Sequence, residues 1–117
     1  MYEEKRWGTY RVLDYKESYK NTKVLTKYIK VLAGKNLSYQ LHHKRSEVWT
    51  IISGIGQFAL DGKLIEVKQG DVVKIPIGAK HGIKAITDLE FIEVQMGTEL
   101  TEEDIIRFSN EWFDVDQ

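Results

Sequence analysis

From about residue 9 onward, apolar and polar residues alternate along the chain, the period of two that sends successive side chains to opposite faces of a strand. Tyr10 and Val12 open the pattern, and a longer run begins at Val24-Leu25 and continues through Tyr28, Ile29, Val31 and Leu32. Leu37-Tyr39-Leu41, Val48-Trp49-Thr50-Ile51-Ile52 and Gln57-Phe58-Ala59-Leu60 come next. Leu64-Ile65-Val67, Val72-Val73-Ile75, His81-Ile83-Ala85 and Leu89-Phe91-Ile92-Val94 complete the series. Asp61-Gly62 predicts a two-residue hairpin, because both central positions of such a turn need positive φ. Gln69-Gly70-Asp71 and Thr87-Asp88 mark further turns, and Gly54-x-Gly56 reads as a hairpin turn between two strands. Only the end departs from alternation. Thr101 with Asp104 three residues later has the form of a capping box ahead of Ile105, Ile106 and Phe108, and predicts a short C-terminal helix packed on the sheets.

Composition sharpens this to an all-β chain. Val, Ile and Thr together number 28 against 4 Ala; residues stiff at the first side-chain torsion suit a pleated surface, and Ala is the best helix former. Many short strands with turns between them predict a sandwich or barrel. The 117 residues suffice for one domain, taken as 1–117, with a core that needs no covalent staple. With 17 Lys+Arg against 18 Asp+Glu the formal net charge is −1, which shows no basic excess for nucleic acid. No apolar run approaches the roughly 18 residues of a membrane span. There are no cysteines, which excludes disulfides, thiolate metal sites and cysteine nucleophiles. Together these features predict a cytoplasmic domain without membrane or nucleic-acid partners.

One cluster of residues carries candidate chemistry. Gln40 and His42, two apart on an extended segment, project to the same side. Glu47 can open the return strand opposite them, and His81 can arrive from a strand lining the same interior. Two imidazoles, a carboxylate and an amide oxygen make a mixed nitrogen and oxygen set that divalent first-row metals accept, with one or two positions left for water or substrate. Each residue also has a plainer reading, as a surface or internally satisfied polar group. His43 points to the other face from His42 and is excluded from the set.

Here the sequence resembles a family. Gly34-x5-Gln40-x-His42-x4-Glu47-x6-Gly54 follows the first cupin motif, with Gln in place of its first His, and Gly70-x5-Pro76-x-Gly78-x2-His81 follows the second. The closer likeness is to the C-terminal cupin domain of type II mannose-6-phosphate isomerases, bifunctional enzymes that also carry a mannose-1-phosphate guanylyltransferase domain. It rests on Arg6-Trp7-Gly8-x-Tyr10, on the segment from Leu37-Ser38 through Trp49, on Ile92-Glu93-Val94-Gln95 and on Glu103-Asp104-Ile105-Ile106-Arg107-Phe108. The resemblance implies a double-stranded β-helix (jelly roll) whose Gln40, His42, Glu47 and His81 bind one divalent metal ion, zinc first among zinc, manganese, iron, cobalt and nickel. No Gly-rich loop suited to nucleotidyl transfer is present, so that activity is not expected.

Isomerase chemistry on such a scaffold needs a metal to polarise sugar oxygens, a base near neutral pKa and a cation for the phosphate. Arg45, two residues before Glu47, is the first choice for phosphate or transition-state charge. Lys84 and Arg107 are further cationic candidates, and Glu93 with Gln95 can line the pocket from one strand face. Trp7 is weighed as a ring that stacks on a sugar or packs in the core. One departure bears on activity: the type II enzymes usually end in Tyr-Gly-Arg, where this chain reads Ser109-Asn110-Glu111-Trp112-Phe113-Asp114. The expected function is therefore a sugar-phosphate isomerase-like cupin. Its rivals are a non-catalytic metal-binding cupin that binds carbohydrate or regulates polysaccharide precursor synthesis, and another metal-cupin enzyme such as a dioxygenase. Aromatic residues near the termini (Tyr2, Trp7, Trp112 and Phe113) suggest a homodimer.

Overall fold

The computed structural model describes residues 1–17, 19–109 and 112. Two antiparallel sheets face each other across one apolar interior. The first holds six strands in the order β1 (Tyr2–Lys5), β2 (Gly8–Glu17), β3 (Lys23–Val31), β10 (Leu89–Gly97), β5 (Arg45–Ser53) and β8 (Val72–Ile75). The second holds five: β11 (Ile106–Ser109), β4 (Tyr39–Leu41), β9 (His81–Ala85), β6 (Ile55–Leu60) and β7 (Lys63–Lys68).

The alternation read from the sequence becomes burial here. On β10, Leu89, Phe91, Glu93 and Gln95 are buried in turn, while Glu90, Ile92 and Val94 between them are half-buried. The same register places Ile29, Phe91 and Ile51 side by side across three strands, then Lys27, Glu93 and Trp49 one step on, then Leu25, Gln95 and Glu47. Two steps along the inner face therefore carry the interior from apolar to ionisable. At the apolar end Val31, Ile51, Phe58, Ile83, Leu89 and Phe91 form the core. Trp49 closes it towards the polar end, stacked on Phe91 with ring centroids 4.6 Å apart and edge-on to Phe58 at 5.4 Å.

Asp61 and Gly62 make the expected hairpin, with φ of 46° and 82° and Leu60 opposite Lys63. Gly54 differs from expectation. Its turn joins β5 of one sheet to β6 of the other, so it is a crossover between layers rather than a hairpin. Gly54 has φ +91°, and an added Cβ would run into the Asp88 carbonyl oxygen. β1 lay outside the alternating pattern because Tyr2-Glu3-Glu4-Lys5 carries a single apolar residue; it forms by pairing along β2 from Tyr2↔Arg11 to Lys5↔Gly8.

The helix expected over residues 101–108 is not formed. Residues 101–105 make a turn, and Ile106–Ser109 adds a strand to the edge of β4. So short a segment gains little from helical hydrogen bonds alone. The open edge of Tyr39–Leu41 offers the β-branched Ile106 a ladder instead, and the Asp104 carboxylate that was to serve the cap bonds to backbone N–H groups of another turn.

Two of the aromatic residues near the termini make contacts within the chain. Trp7 packs against the core, and the Trp112 indole donates to Gln57 Oε1 at 2.7 Å; Tyr2 is exposed, and Phe113 lies outside the described residues. Of the segment that departs from Tyr-Gly-Arg, Asn110, Glu111 and Asp114 also lie outside them.

Candidate metal centre and its cavity

His42, Glu47 and His81 meet at the polar end of the interior, each buried, with one ligand atom apiece all within 4.8 Å of one another. Glu47 stands on β5, held by ladders to Gln95 of β10 and Ile75 of β8. His81 opens β9, paired to Gln40 of β4 and Leu60 of β6. His42 follows β4 directly, before the turn into β5. Gln40 lines the same cavity; its amide nitrogen donates to the carbonyl and hydroxyl oxygens of Ser38, both at 3.2 Å, which leaves the amide oxygen as the end available to an ion.

The surroundings suit these residues to a divalent ion. His42 Nδ1 lies 2.7 Å from the Asp104 carbonyl oxygen, and His81 Nδ1 lies 3.0 Å from that of Ala79. A carbonyl only accepts, so Nδ1 carries the proton in both rings and each Nε2 keeps a bare lone pair. Burial first, and then the Arg45 guanidinium, pushes the His42 imidazole down to about 4; burial likewise lowers His81. Both rings are thus neutral at pH 7, the protonation state that binds metal. Glu47 is braced by the Trp49 indole N–H at 2.8 Å on one oxygen and by Arg45 Nε at 2.9 Å on the other, which is also 3.2 Å from His42 Nε2.

Glu93 faces this group from β10. Burial first, and the Glu47 charge second, raise its carboxyl to about 7, although Gln95 donates to it at 2.6 Å. The Gln95 amide oxygen is buried without a hydrogen-bond partner among the described residues. The cavity above them has a volume of about 330 Å³.

Of the residues predicted from sequence, Gln40, His42, Glu47 and His81 come together, and Arg45, Glu93 and Gln95 line the cavity alongside Gln40 and His42. Arg107 lines it from exposed β11, and His43 is exposed away from it. Lys84 does not belong to the cavity. On β9 the buried positions His81, Ile83 and Ala85 face inward, so the alternation sends Lys84 to the outer face. Sequence reasoning missed Lys27, which lies two residues before buried Ile29 on β3 and lines the cavity with its ammonium 4.3 Å from the Tyr10 ring centroid. That spacing was a usable signal. Lys5 and Arg6 arrive with the unanticipated β1–β2 hairpin, and their charges join Lys27, Arg45 and Arg107 around the cavity.

Two facing sheets with a histidine–carboxylate cluster inside define a cupin. A mutant of oxalate decarboxylase from Bacillus subtilis superimposes with TM-score 0.79 over 92% of this chain and 30% of its own, at 18% identity. KdgF from Halomonas sp. does so with TM-score 0.67 over 81% of this chain and 82% of its own, at 12% identity. At these identities the likeness is one of fold.

The chain belongs to the mannose-6-phosphate isomerase C-terminal family, whose model matches residues 2–110. It is 35% identical over 108 residues to a mannose-1-phosphate guanylyltransferase from Salmonella montevideo, and 37% identical over 103 residues to mannose-1-phosphate guanylyltransferase 2 from Escherichia coli O157:H7. Those alignments cover 91% and 86% of this chain but 22% and 20% of the relatives, so the chain spans about a fifth of their length.

Proposed function

We propose that this cupin is a metal-dependent sugar-phosphate isomerase domain that interconverts mannose 6-phosphate and fructose 6-phosphate or a closely related pair. The observation that carries this reading is the placement of Glu93, a carboxyl raised to about 7, on a cavity that His42 and Arg45 also line, beside the His42–Glu47–His81 cluster and among the cations Lys5, Arg6, Lys27 and Arg107.

Aldose–ketose isomerisation moves one proton from C2 to C1 and another from the C2 oxygen to the C1 oxygen, through an enediol. Gln40, His42, Glu47 and His81 would hold a divalent ion, zinc first, which supplies Lewis acidity towards the sugar oxygens. Glu93 takes the C2 proton and returns it to C1, a task matched to a carboxyl with pKa about 7. Arg45 offsets the negative charge that develops on the oxygens, and Lys27 or Arg107 binds the phosphate. Glu93 lies within the sheet, so its position is set by ladders on both sides rather than by a loop.

A coupled assay for fructose 6-phosphate, with the protein loaded separately with zinc, manganese, cobalt and nickel, tests the reading. Turnover that disappears in both Glu47→Gln and Glu93→Gln supports it. Metal demonstrably bound with no turnover overturns it. A second reading, a carbohydrate-binding or regulatory domain, is favoured by the guanylyltransferase names of the longer relatives. Mannose 6-phosphate bound without turnover would select it.

A further inference from the structure

Asp104 sits in the turn that replaced the expected helix, and its carboxylate and carbonyl oxygens bond to three consecutive residues, His42, His43 and Lys44. Its carboxylate accepts from the backbone N–H of His43 at 2.8 Å through one oxygen and of Lys44 at 2.9 Å through the other. Its own carbonyl oxygen takes the His42 Nδ1 proton at 2.7 Å. We propose that Asp104 is the positioning residue for His42, a latch that ties the 101–105 turn to the metal centre. The proposal rests on the reading of His42 as a ligand.

The need for such a latch follows from where the three residues stand. Glu47 and His81 lie on strands paired on both sides, so their backbones are fixed by ladders. His42 lies just past the end of β4, where ladder pairing has stopped and its carbonyl oxygen accepts one backbone bond, from Gly78 N–H at 2.8 Å. Asp104 supplies what the ladder does not. Two charge-assisted bonds hold the turn after His42, and the third selects the tautomer that leaves Nε2 bare. The His81 ring is set differently, by the Ala79 carbonyl within its own loop, so the two imidazoles are oriented by independent devices. The 101–105 turn also contributes Glu102 and Ile105 to the cavity wall, and Arg107 follows on β11. Orientation of the ligand and closure of that wall thus pass through one residue.

Two measurements on Asp104→Ala and Asp104→Asn test this. Zinc affinity is measured by chelator competition, and the imidazole tautomers of the metal-free protein by nitrogen-15 NMR, with circular dichroism confirming the fold. Asp104→Ala is expected to weaken zinc binding about 10–100-fold, the range for outer partners of metal ligands. The accepting carbonyl is backbone and survives the substitution, so the His42 Nδ1–H is expected to be lost only as far as the unclamped turn carries that carbonyl away, seen as a mixed-tautomer signal at His42 beside an unchanged His81. Asp104→Asn, which keeps one accepting oxygen, should fall between and carries the test if the alanine variant does not fold. A folded variant with wild-type zinc affinity and an unchanged His42 tautomer overturns the latch. If the wild type binds no zinc, the ligand reading fails by itself, and the latch is then decided by the His42 tautomer alone.

Discussion

Arg45 and Glu47 form a side-chain ion pair with Nε 2.9 Å from Oε2, and the same guanidinium places Nη2 3.0 Å from His42 Nε2. One cation therefore spans two of the atoms that a metal would use. A lone pair serves one cation at a time, so the guanidinium and a divalent ion compete at His42 Nε2 and Glu47 Oε2. Removing the competitor in Arg45→Gln is expected to tighten zinc binding about tenfold, or roughly 1.4 kcal/mol, while lowering turnover because the charge facing the substrate is lost. Chelator competition beside the coupled assay reads both. Unchanged or weaker zinc binding would refute the competition.

Glu93 links stability to pH in the metal-free protein. Its carboxyl is raised to about 7 in the folded state, so its contribution is fully present below the unfolded value near 4.5 and is lost as pH rises through 7. Replacing it by Gln removes a charge that burial and Glu47 disfavour. The unfolding free energy of Glu93→Gln relative to wild type should therefore increase steadily from pH 4.5 to about 7 and then level. Chemical denaturation at four pH values measures the difference, and a flat difference would count against it. A dication at Glu47 opposes the repulsion, so zinc should shrink the slope.

Zinc retention should follow the lowered imidazoles. An exposed histidine begins to lose metal to protons near its usual 6.5. His42 is held down to about 4 by burial and by Arg45, so protonation competes only at lower pH. Calorimetric titration is expected to give nearly the same zinc affinity at pH 7.5 and 6, with loss setting in below about 5. A tenfold drop between the first two values would contradict this.

Gly54 is the backbone counterpart of these predictions. Alanine there is strained at φ +91° and meets the Asp88 carbonyl oxygen, so the crossover between sheets must shift. Gly54→Ala should cost about 2–4 kcal/mol of stability, whereas Gly62→Ala, strained in φ but open in space, should cost less. Paired urea denaturation curves compare the two.

Much of the site was legible because its information is local. Gln40, His42 and Glu47 lie within eight residues of sequence, and period-two spacing alone sends Gln40 and His42 to one side with His43 to the other, and puts Arg45 on the side of Glu47. On β10 the same period set Glu93 and Gln95 on the face of Leu89 and Phe91, so the sequence itself determined that carboxyl and amide would be buried. The Asp61-Gly62 hairpin was equally local, since turn chemistry acts over two residues.

What the sequence could not carry is which strand lies beside which. Alternation along the chain is enough to set Lys84 on the face opposite His81 and Lys27 on the face of Ile29, but only the observed strand order brings Lys27 of β3 beside Glu93 of β10 at the same cavity. Residues 106–109 hold apolar groups compatible with a helix or a strand, and the free edge of β4 decided between them. Asp104 is the sharpest case. A capping box and a clamp use the same carboxylate, and the choice depends on whether backbone N–H groups from its own segment or from His43 and Lys44, about sixty residues earlier, lie within hydrogen-bond reach. Periodicity is a property of neighbours along the chain, so the sequence determined the strands and their faces. Edges, partners and the orientation of His42 depend on contacts closed over long loops, and those the tertiary structure decided.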